Sequence, residues 1–379
     1  MPPKVIHLVI SLAPGGLERL VVDWTNARNQ RFPGSTSICC LDSLGDLASQ
    51  VEGGAVCCVN ATRSRWPFDS TAVRRIRESM CGQRISVVGD QSPRVILHSH
   101  NAAAWQYGVI ACLGTRVRHI HTEHGTNPHY AGFVNHLRNA WLWRLTPGIA
   151  AVAGTVADAL ADKQGIPRGR ISVIPNGIAV RPEQEFGRET RAVRAQLGLP
   201  FATRVLGSVG RLSHVKGYDR LITAFSQADA GWRLLLVGDG PERGALVRQA
   251  TELGIADRVI FAGYQADPYP YYDAFDVFVL PSRSEGLSIS LLEAMAAGVP
   301  VAVTDAGANR EVIDGGKSGT MLPEDEGAWA VKLEGVLNDT AGTQAKAAAA
   351  RTRVHDHYSQ ETTLDIYEQL YVAAADKRW

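Results

Sequence analysis

Short apolar runs recur along the chain, separated by polar, glycine-bearing breaks. In the first half they fall at residues 5–10, 37–41, 55–60 and 95–98, with a further strand expected at 118–121, and in the second at 205–209, 232–237, 258–263 and 277–280. Runs of this length, apolar throughout rather than alternating, suit strands covered on both faces. Between them lie segments with apolar residues at helical spacing, such as Leu20, Val21 and Trp24, or Leu221, Ile222 and Phe225. Strand and helix alternating in this way predict α/β architecture with parallel, doubly wound sheets. A fresh series of strands begins near residue 205, after ISVIPNGIAV at 171–180 and a charged, helix-capable stretch at 181–196. A chain of 379 residues is too long for one ordinary core. Two Rossmann-like domains are expected, 1–178 and 179–357.

The stretch VFVLPSRSEGLSISLLEAMAAG, residues 277–298, concentrates the chemistry. Its pattern predicts a buried strand, a tight polar loop and then a helix from Ser288, with Ile289, Leu292 and Ala296 on one face and Gly298 as the stop. Glu285 falls in the loop and Glu293 in the helix, with seven residues between them. In open α/β sheets ligands bind at the carboxyl ends of the strands, where this loop lies. The amides of Gly286, Leu287 and Ser288 precede the helix, a natural seat for an anion.

Composition narrows the setting. Hydrophobic residues make up 45% and charged residues 20%, which fits a globular protein and excludes a disordered chain. No run reaches the roughly 20 apolar residues needed to cross a bilayer. The N-terminal VIHLVI leads into a glycine turn and is expected as a first strand rather than a signal peptide. Residues 1–180 carry 18 Lys and Arg against 11 Asp and Glu, whereas residues 181–379 carry 21 against 27. A basic first half could meet an anionic acceptor or, peripherally, the inner face of a membrane; it could equally complement the acidic half. The basic residues are scattered and form no nucleic-acid motif, so no nucleic-acid partner is expected. Cys39, Cys40, Cys57, Cys58, Cys81 and Cys112 form no C-x-x-C pair and are expected reduced, strand-borne and buried, in a cytoplasmic protein.

Four further features of the first half stand out. Gly15 and Gly16, after the first strand, let the backbone approach a ligand or another loop. HIHTEHGTNPHY at 119–130 follows a strand and brings His121 and His124 to the ligand edge. Arg74, Arg75 and Arg77 read as a solvated helix face, with an acidic-partner site as the lesser reading. FVNHLRNAWLWRLTPG at 133–148 has Phe133, Leu137, Ala140, Trp141 and Arg144 at helical spacing, read either as a core helix with one half-exposed Trp or as a lipid-touching face.

The two glutamates within SEGLSISLLEAMAAGVPV, together with GRLSHVKG at 210–217 and VGDGPE at 237–242, resemble the signature of retaining GT-B glycosyltransferases of family 4. The resemblance runs over almost the whole chain and is most specific in the second half. It implies two Rossmann-like domains facing a cleft, with the second binding a nucleotide-sugar of UDP or GDP type as co-substrate. It also implies that the C-terminal helix, 358–379, crosses back to the first domain. By the same resemblance Glu285 contacts the donor sugar and Glu293 the ribose hydroxyls. Arg211 and Lys216 neutralise the departing diphosphate, so that no metal and no cofactor are required. Tyr264 borders the base through its backbone, and Asp239 is read as a turn residue. Gly15, Gly16 and Glu18 match the family's glycine loop. Thr122, His124 and Gly125 match a Thr-x-His-Gly stretch that places His124 near sugar and acceptor, with His121 its rival. Gly307 to Glu311 resembles a G-G-x-x-E turn with Ala308 in place of the second Gly.

The function implied is retaining transfer of a sugar from a nucleotide-sugar to a glycan, lipid-linked or small-molecule acceptor, as in polysaccharide or glycoconjugate synthesis. Alternatives on the same fold are a synthase or phosphorylase with a soluble acceptor, a nucleotide-sugar epimerase, and a non-catalytic nucleotide-sugar binding module.

Overall fold

A computed structural model describes residues 2–61, 69–82, 94–125, 141–181, 190–200 and 202–376, the side chains of 81, 82, 190, 191 and 376 excepted. The chain divides into two compact units, one of Met1–Gly177 with Gln360–Trp379, the other of Ile178–Ser359.

The first unit is built on seven parallel strands: β1 Lys4–Ser11, β2 Thr36–Ser43, β3 Val56–Cys58, β4 Val95–His100, β5 Arg118–Glu123, β6 Gly148–Ala151 and β7 Ile171–Val173. Their order, β3-β2-β1-β4-β5-β6-β7, reverses direction between β1 and β4. Both faces of the sheet are covered. Ile6, Leu8, Cys39 and Leu97 pack with Ile76 and Ala104 from two helices, while Val9, Ile38 and Cys40 pack with Val21 and Val22 from the helix Gly16–Arg31. That double burial is why these strands read as unbroken apolar runs. β4 and β5 each run two residues beyond the expected end and so carry His100, Thr122 and Glu123 in the sheet.

Two expectations about the cysteines are corrected. Cys112 ends the helix Asn101–Cys112 and is not on a strand; Cys57 and Cys58 are half-buried, because β3 is an edge strand. All five described cysteines are free, and the side chain of Cys81 lies outside the described residues. The arginine trio is the exposed helix face expected, and two of its members also reach neighbouring backbone. Arg77 donates to the carbonyls of Ile110, Ala111 and Leu113, at the end of a helix whose last carbonyls lack intrahelical partners, Arg75 donates to Val59 O, and Arg74 lies beside Glu78; all three residues are exposed. Of the segment 133–148, residues up to 140 lie outside the description; Trp141 is exposed, and Arg144 stacks on Trp143.

The last helix, Gln360–Asp376, packs on the first unit. Its anchor is Arg28, which is 2% exposed and donates to Pro3 O, Ser35 O, the hydroxyls of Ser35 and Thr36, and the Glu368 carboxylate. Arg31 pairs with Asp365 one turn on. Tyr367 and Tyr371 reach the sheet, through Thr122 and His98.

The second unit holds six parallel strands: β8 Val205–Val209, β9 Arg233–Val237, β10 Val259–Gly263, β11 Val277–Leu280, β12 Val301–Val303 and β13 Thr320–Met321. The order β10-β9-β8-β11-β12-β13 reverses between β8 and β11. Leu206, Leu234, Val277 and Ala302 share a core with Leu221, Phe225 and Trp329 from the covering helices. Both sheets are the doubly wound form that alternation predicted. No helix among the described residues is long and apolar enough to cross a membrane.

Candidate functional site

At the reversal between β8 and β11, two loops leave neighbouring strands at their carboxyl ends, where doubly wound sheets bind ligands. The β8 loop holds Gly210 to Gly217 and closes with a single 3-10 turn, His214–Lys216. The β11 loop holds Pro281 to Ser288 and opens the helix Ile289–Ala296. The loops are tied together. Arg283 forks onto both oxygens of Asp219 at 2.6 Å, its backbone N donates to Val215 O at 2.8 Å, and Nη1 also donates to His214 O. This pairing holds the Asp219 carboxyl below the usual carboxylate range. Gly217 has φ +69°, and a Cβ there would stand 2.2 Å from Pro281 O, so only glycine lets the loops approach this closely.

Lys216 Nζ lies 2.7 Å from Glu285 Oε1, and Ser282 donates to the same oxygen at 2.6 Å. The Glu285 side chain is 8% exposed and that of Lys216 23%. Arg211, by contrast, is exposed and makes no side-chain hydrogen bond or ion pair among the described residues. Gly286, Leu287 and Ser288 lead into the helix with Ser288 at its N-cap, and among the described residues their amides donate no hydrogen bond. Leu287 and Ser288 are buried. Glu293 is buried rather than on an outward helix face, and accepts from the Tyr272 hydroxyl at 2.8 Å. A buried carboxylate on a helix is costly without a donor, and Tyr272 supplies one. Tyr264, just past β10, is exposed. Asp239 acts as a turn residue, accepting from its neighbour Gly240 N.

Gly307 fixes the far side of the β11 loop. Its φ is +57°, and a Cβ there would meet Glu285 O at 2.0 Å. Replacement by Ala therefore forces both a left-handed alanine and displacement of the segment that carries Glu285. Gly307→Ala is expected to cost about 1–3 kcal/mol, read as a lower midpoint in urea unfolding; an unchanged midpoint would show that the loop yields freely.

In the first unit the corresponding reversal, between β1 and β4, is lined with histidines. His7 Nδ1 lies 2.9 Å from His100 Nε2, and His100 Nδ1 lies 2.9 Å from His124 Nε2. His98 uses both ring nitrogens, on Tyr371 and Thr122 hydroxyls. His7, His98 and His100 are close enough for one ion to touch all three; both ring nitrogens of His98 and of His100, and Nδ1 of His7, are engaged in these hydrogen bonds, and the His7–His100 pair continues to His124. Burial pushes His7 and His124 down to about 3 and His98, His100 and His119 in the same direction. His124 is therefore neutral at physiological pH: it can offer or accept one hydrogen bond, not a positive charge. His121 is stacked on Trp105 at 4.2 Å and bonded to Ser99. It is fully buried in the sheet, so of the two candidates His124 alone stands at the strand's end. Gly15 is extended at the N-cap of the helix Gly16–Arg31. The tight approach onto this loop is made instead by Gly45, whose added Cβ would fall 2.1 Å from Leu12 C. Residues 126–130 of the histidine stretch lie outside the described residues.

Sequence reasoning brought forward Lys216, Glu285 and Glu293, and the structure joins the first two directly. It missed Ser282 and Tyr272, the hydroxyls that hold the two carboxylates, and the buried relay partners His7 and His100. The aromatic run Tyr269–Tyr272 was the one local signal for Tyr272.

Comparison with known proteins agrees with this geometry. A family model described as glycosyl transferases group 1 matches residues 203–339, and one described as Glycosyltransferase Family 4 matches residues 14–181. A 2-deoxystreptamine glucosyltransferase of Streptomyces kanamyceticus is 31% identical over 61% of this chain and 62% of its own length. The lipopolysaccharide core biosynthesis glycosyltransferase LpsE of Rhizobium meliloti is 35% identical over 48% of this chain and 54% of its own. The chain thus spans less than two thirds of either relative. Among solved structures, Anabaena HepE in complex with UDP-glucose superposes with a TM-score of 0.82 at 22% identity, covering 98% of this chain and 99% of that one. A glycosyltransferase from Rickettsia africae gives 0.81 at 17%, covering 99% and 100%. These likenesses establish the GT-B fold.

Proposed function

Since the chain belongs to the group 1, family 4 type of glycosyltransferases, we propose that it moves a sugar from a nucleotide-sugar to a hydroxyl acceptor with retention of anomeric configuration. The observation that carries this is the pairing of Lys216 with Glu285 beside the helix that buries Glu293, all at the ligand edge of one sheet. As the glycosidic bond breaks, negative charge gathers on the leaving diphosphate. Lys216 is the compact cation next to it, Arg211 the planar one, and the amides of Gly286, Leu287 and Ser288 add fixed dipoles. Glu293 accepts from the ribose hydroxyls. Glu285, held on one oxygen by Lys216 and Ser282, orients the sugar. Neutral His124 hydrogen-bonds a sugar or acceptor hydroxyl, and Tyr264 borders the base. Positioning and leaving-group stabilisation supply the acceleration, without a covalent intermediate. Solved complexes of HepE with UDP, and with UDP and glucose, favour a UDP-type donor. The relatives are named for 2-deoxystreptamine and for lipopolysaccharide core biosynthesis, which keeps small-molecule and lipid-linked glycan acceptors both in view.

The test is a thermal-shift panel of UDP, GDP, ADP and their sugar conjugates without added metal. A ligand at 100 times its dissociation constant stabilises the fold by about 2.7 kcal/mol. The expected result is a selective response to one nucleotide, lost in Glu293→Ala. Failure of every nucleotide to shift the wild-type protein would overturn the reading, and stabilisation without transfer to any acceptor would favour a binding module. Retention is read from the anomeric NMR signal of the product.

A further inference from the structure

We propose that Tyr272 is a positioning residue for nucleotide recognition: its hydroxyl sets the Glu293 carboxylate in the orientation that engages the ribose diol. The inference rests on the reading of Glu293 given above and extends it to a residue that touches no ligand.

The geometry is specific. Tyr272 closes the short helix Tyr269–Tyr272, between β10 and β11, and is fully buried. Its ring lies against Tyr269, Phe275 and Phe278, with centroids 6.0, 5.8 and 5.9 Å away. Two of these contacts are edge-on and the third is tilted, and in a fully buried ring they hold the hydroxyl in place. That hydroxyl stands 2.8 Å from Glu293 Oε2 and 3.2 Å from Ser290 O. It has one proton to give, and the shorter, charge-assisted bond goes to the carboxylate. An ordinary core tyrosine would be satisfied by the Ser290 carbonyl alone. Here a backbone acceptor lies within reach, yet the closer contact is to the acidic side chain. Burial beside Glu293 holds the phenol well above its ordinary range, so it remains a donor at any working pH.

A carboxylate binds a cis-diol well only when both hydroxyls meet it in one orientation. A glutamate side chain has rotamer freedom that would be lost on binding, and pinning one oxygen beforehand removes part of that cost. Tyr272 should therefore matter for nucleotides that carry the diol and not for those that lack it.

The experiment compares affinities of UDP, GDP and ADP with those of their 2′-deoxy counterparts, for wild type, Tyr272→Phe and Glu293→Ala. The expected result is that wild type prefers the ribonucleotide, and that Tyr272→Phe lowers this preference on the order of tenfold while leaving deoxynucleotide affinity unchanged. A general loss of packing would weaken both nucleotides equally, so equal weakening overturns the proposal. If Glu293→Ala abolishes the preference but Tyr272→Phe preserves it, Tyr272 is structural and the Glu293 reading stands. If Glu293→Ala preserves the preference, the ribose reading fails and the proposal with it. Should Tyr272→Phe not fold, 3-fluorotyrosine at position 272 keeps the ring and makes the phenol a stronger donor. An increased preference then supports the proposal, and an unchanged one overturns it.

Discussion

Lys216→Ala is expected to lower kcat by on the order of 10²–10³, the usual consequence of deleting one preorganised group that meets developing charge. Two effects combine in that loss. The ammonium that would meet the leaving diphosphate is gone, and Glu285, whose side chain is 8% exposed, keeps only the Ser282 hydroxyl on its Oε1. A double-mutant cycle separates them, because residues in contact do not add. If Lys216 served only to hold Glu285, the Lys216→Ala, Glu285→Gln enzyme would be no slower than Glu285→Gln alone. The proposal expects the double variant to be slower by a further factor of ten or more, with the extra loss in kcat and little change in nucleotide affinity from Glu293. A Lys216→Ala enzyme with full turnover would remove the electrostatic core of the mechanism. Lys216→Arg is informative as well. It keeps the charge, but the planar fork cannot replace a point charge 2.7 Å from Glu285 without moving the loop, so partial activity is expected.

What could be read from the sequence, and what could not, follows the range over which each signal acts. The strand, loop and helix at 277–298 were legible because an apolar run, a glycine turn and a 3.6-residue period are all local. The two-unit, doubly wound plan followed from repetition of that local pattern. Partners distant in sequence left no such trace. Arg28 and Glu368 lie 340 positions apart, and nothing around Arg28 distinguishes it from an exposed helix arginine until the last helix folds against it. His7, His100 and His124 sit on three separate segments and become one relay only because the sheet places β4 between β1 and β5. Arg77 shows the same limit: its exposed place on the helix was legible, but not that another helix ends beside it and accepts from its guanidinium. Glycine signals were likewise incomplete. Gly15 and Gly16 drew attention as a pair, whereas the close backbone approach is made at Gly45, which depends on where Leu12 lies in space.

The buried histidines predict that the first unit fails in mild acid. Each of His7, His98, His100, His119 and His124 is held below the ordinary histidine range chiefly by burial, and for His7 the Arg28 guanidinium adds to the effect. A folded-state value below the unfolded one means that the unfolded chain binds more protons as the pH falls. The stability from neutral burial is therefore complete above the unfolded value, roughly 6.5, and for His7 and His124 is lost progressively down to about 3. Within that window each of these two costs about 1.4 kcal/mol per pH unit. The other three act in the same direction. Against a typical domain stability of about 5–15 kcal/mol, losses in this direction bring the first unit toward its limit as the pH falls through that window. In the second unit the described histidines, His214, His355 and His357, are all exposed, so this source of acid sensitivity is confined to the first. Hydrogen exchange followed from pH 7.5 to 4.5 should show protection collapsing first in β1, β4 and β5 while β8 and β11 remain protected. His7→Gln should flatten the dependence of stability on pH by about 1.4 kcal/mol per unit, even if it lowers stability at pH 7. Equal acid sensitivity in both units, or a slope untouched by His7→Gln, would mean that these imidazoles gain protons without unfolding the sheet around them. The relay to His124 would then be open to water rather than sealed.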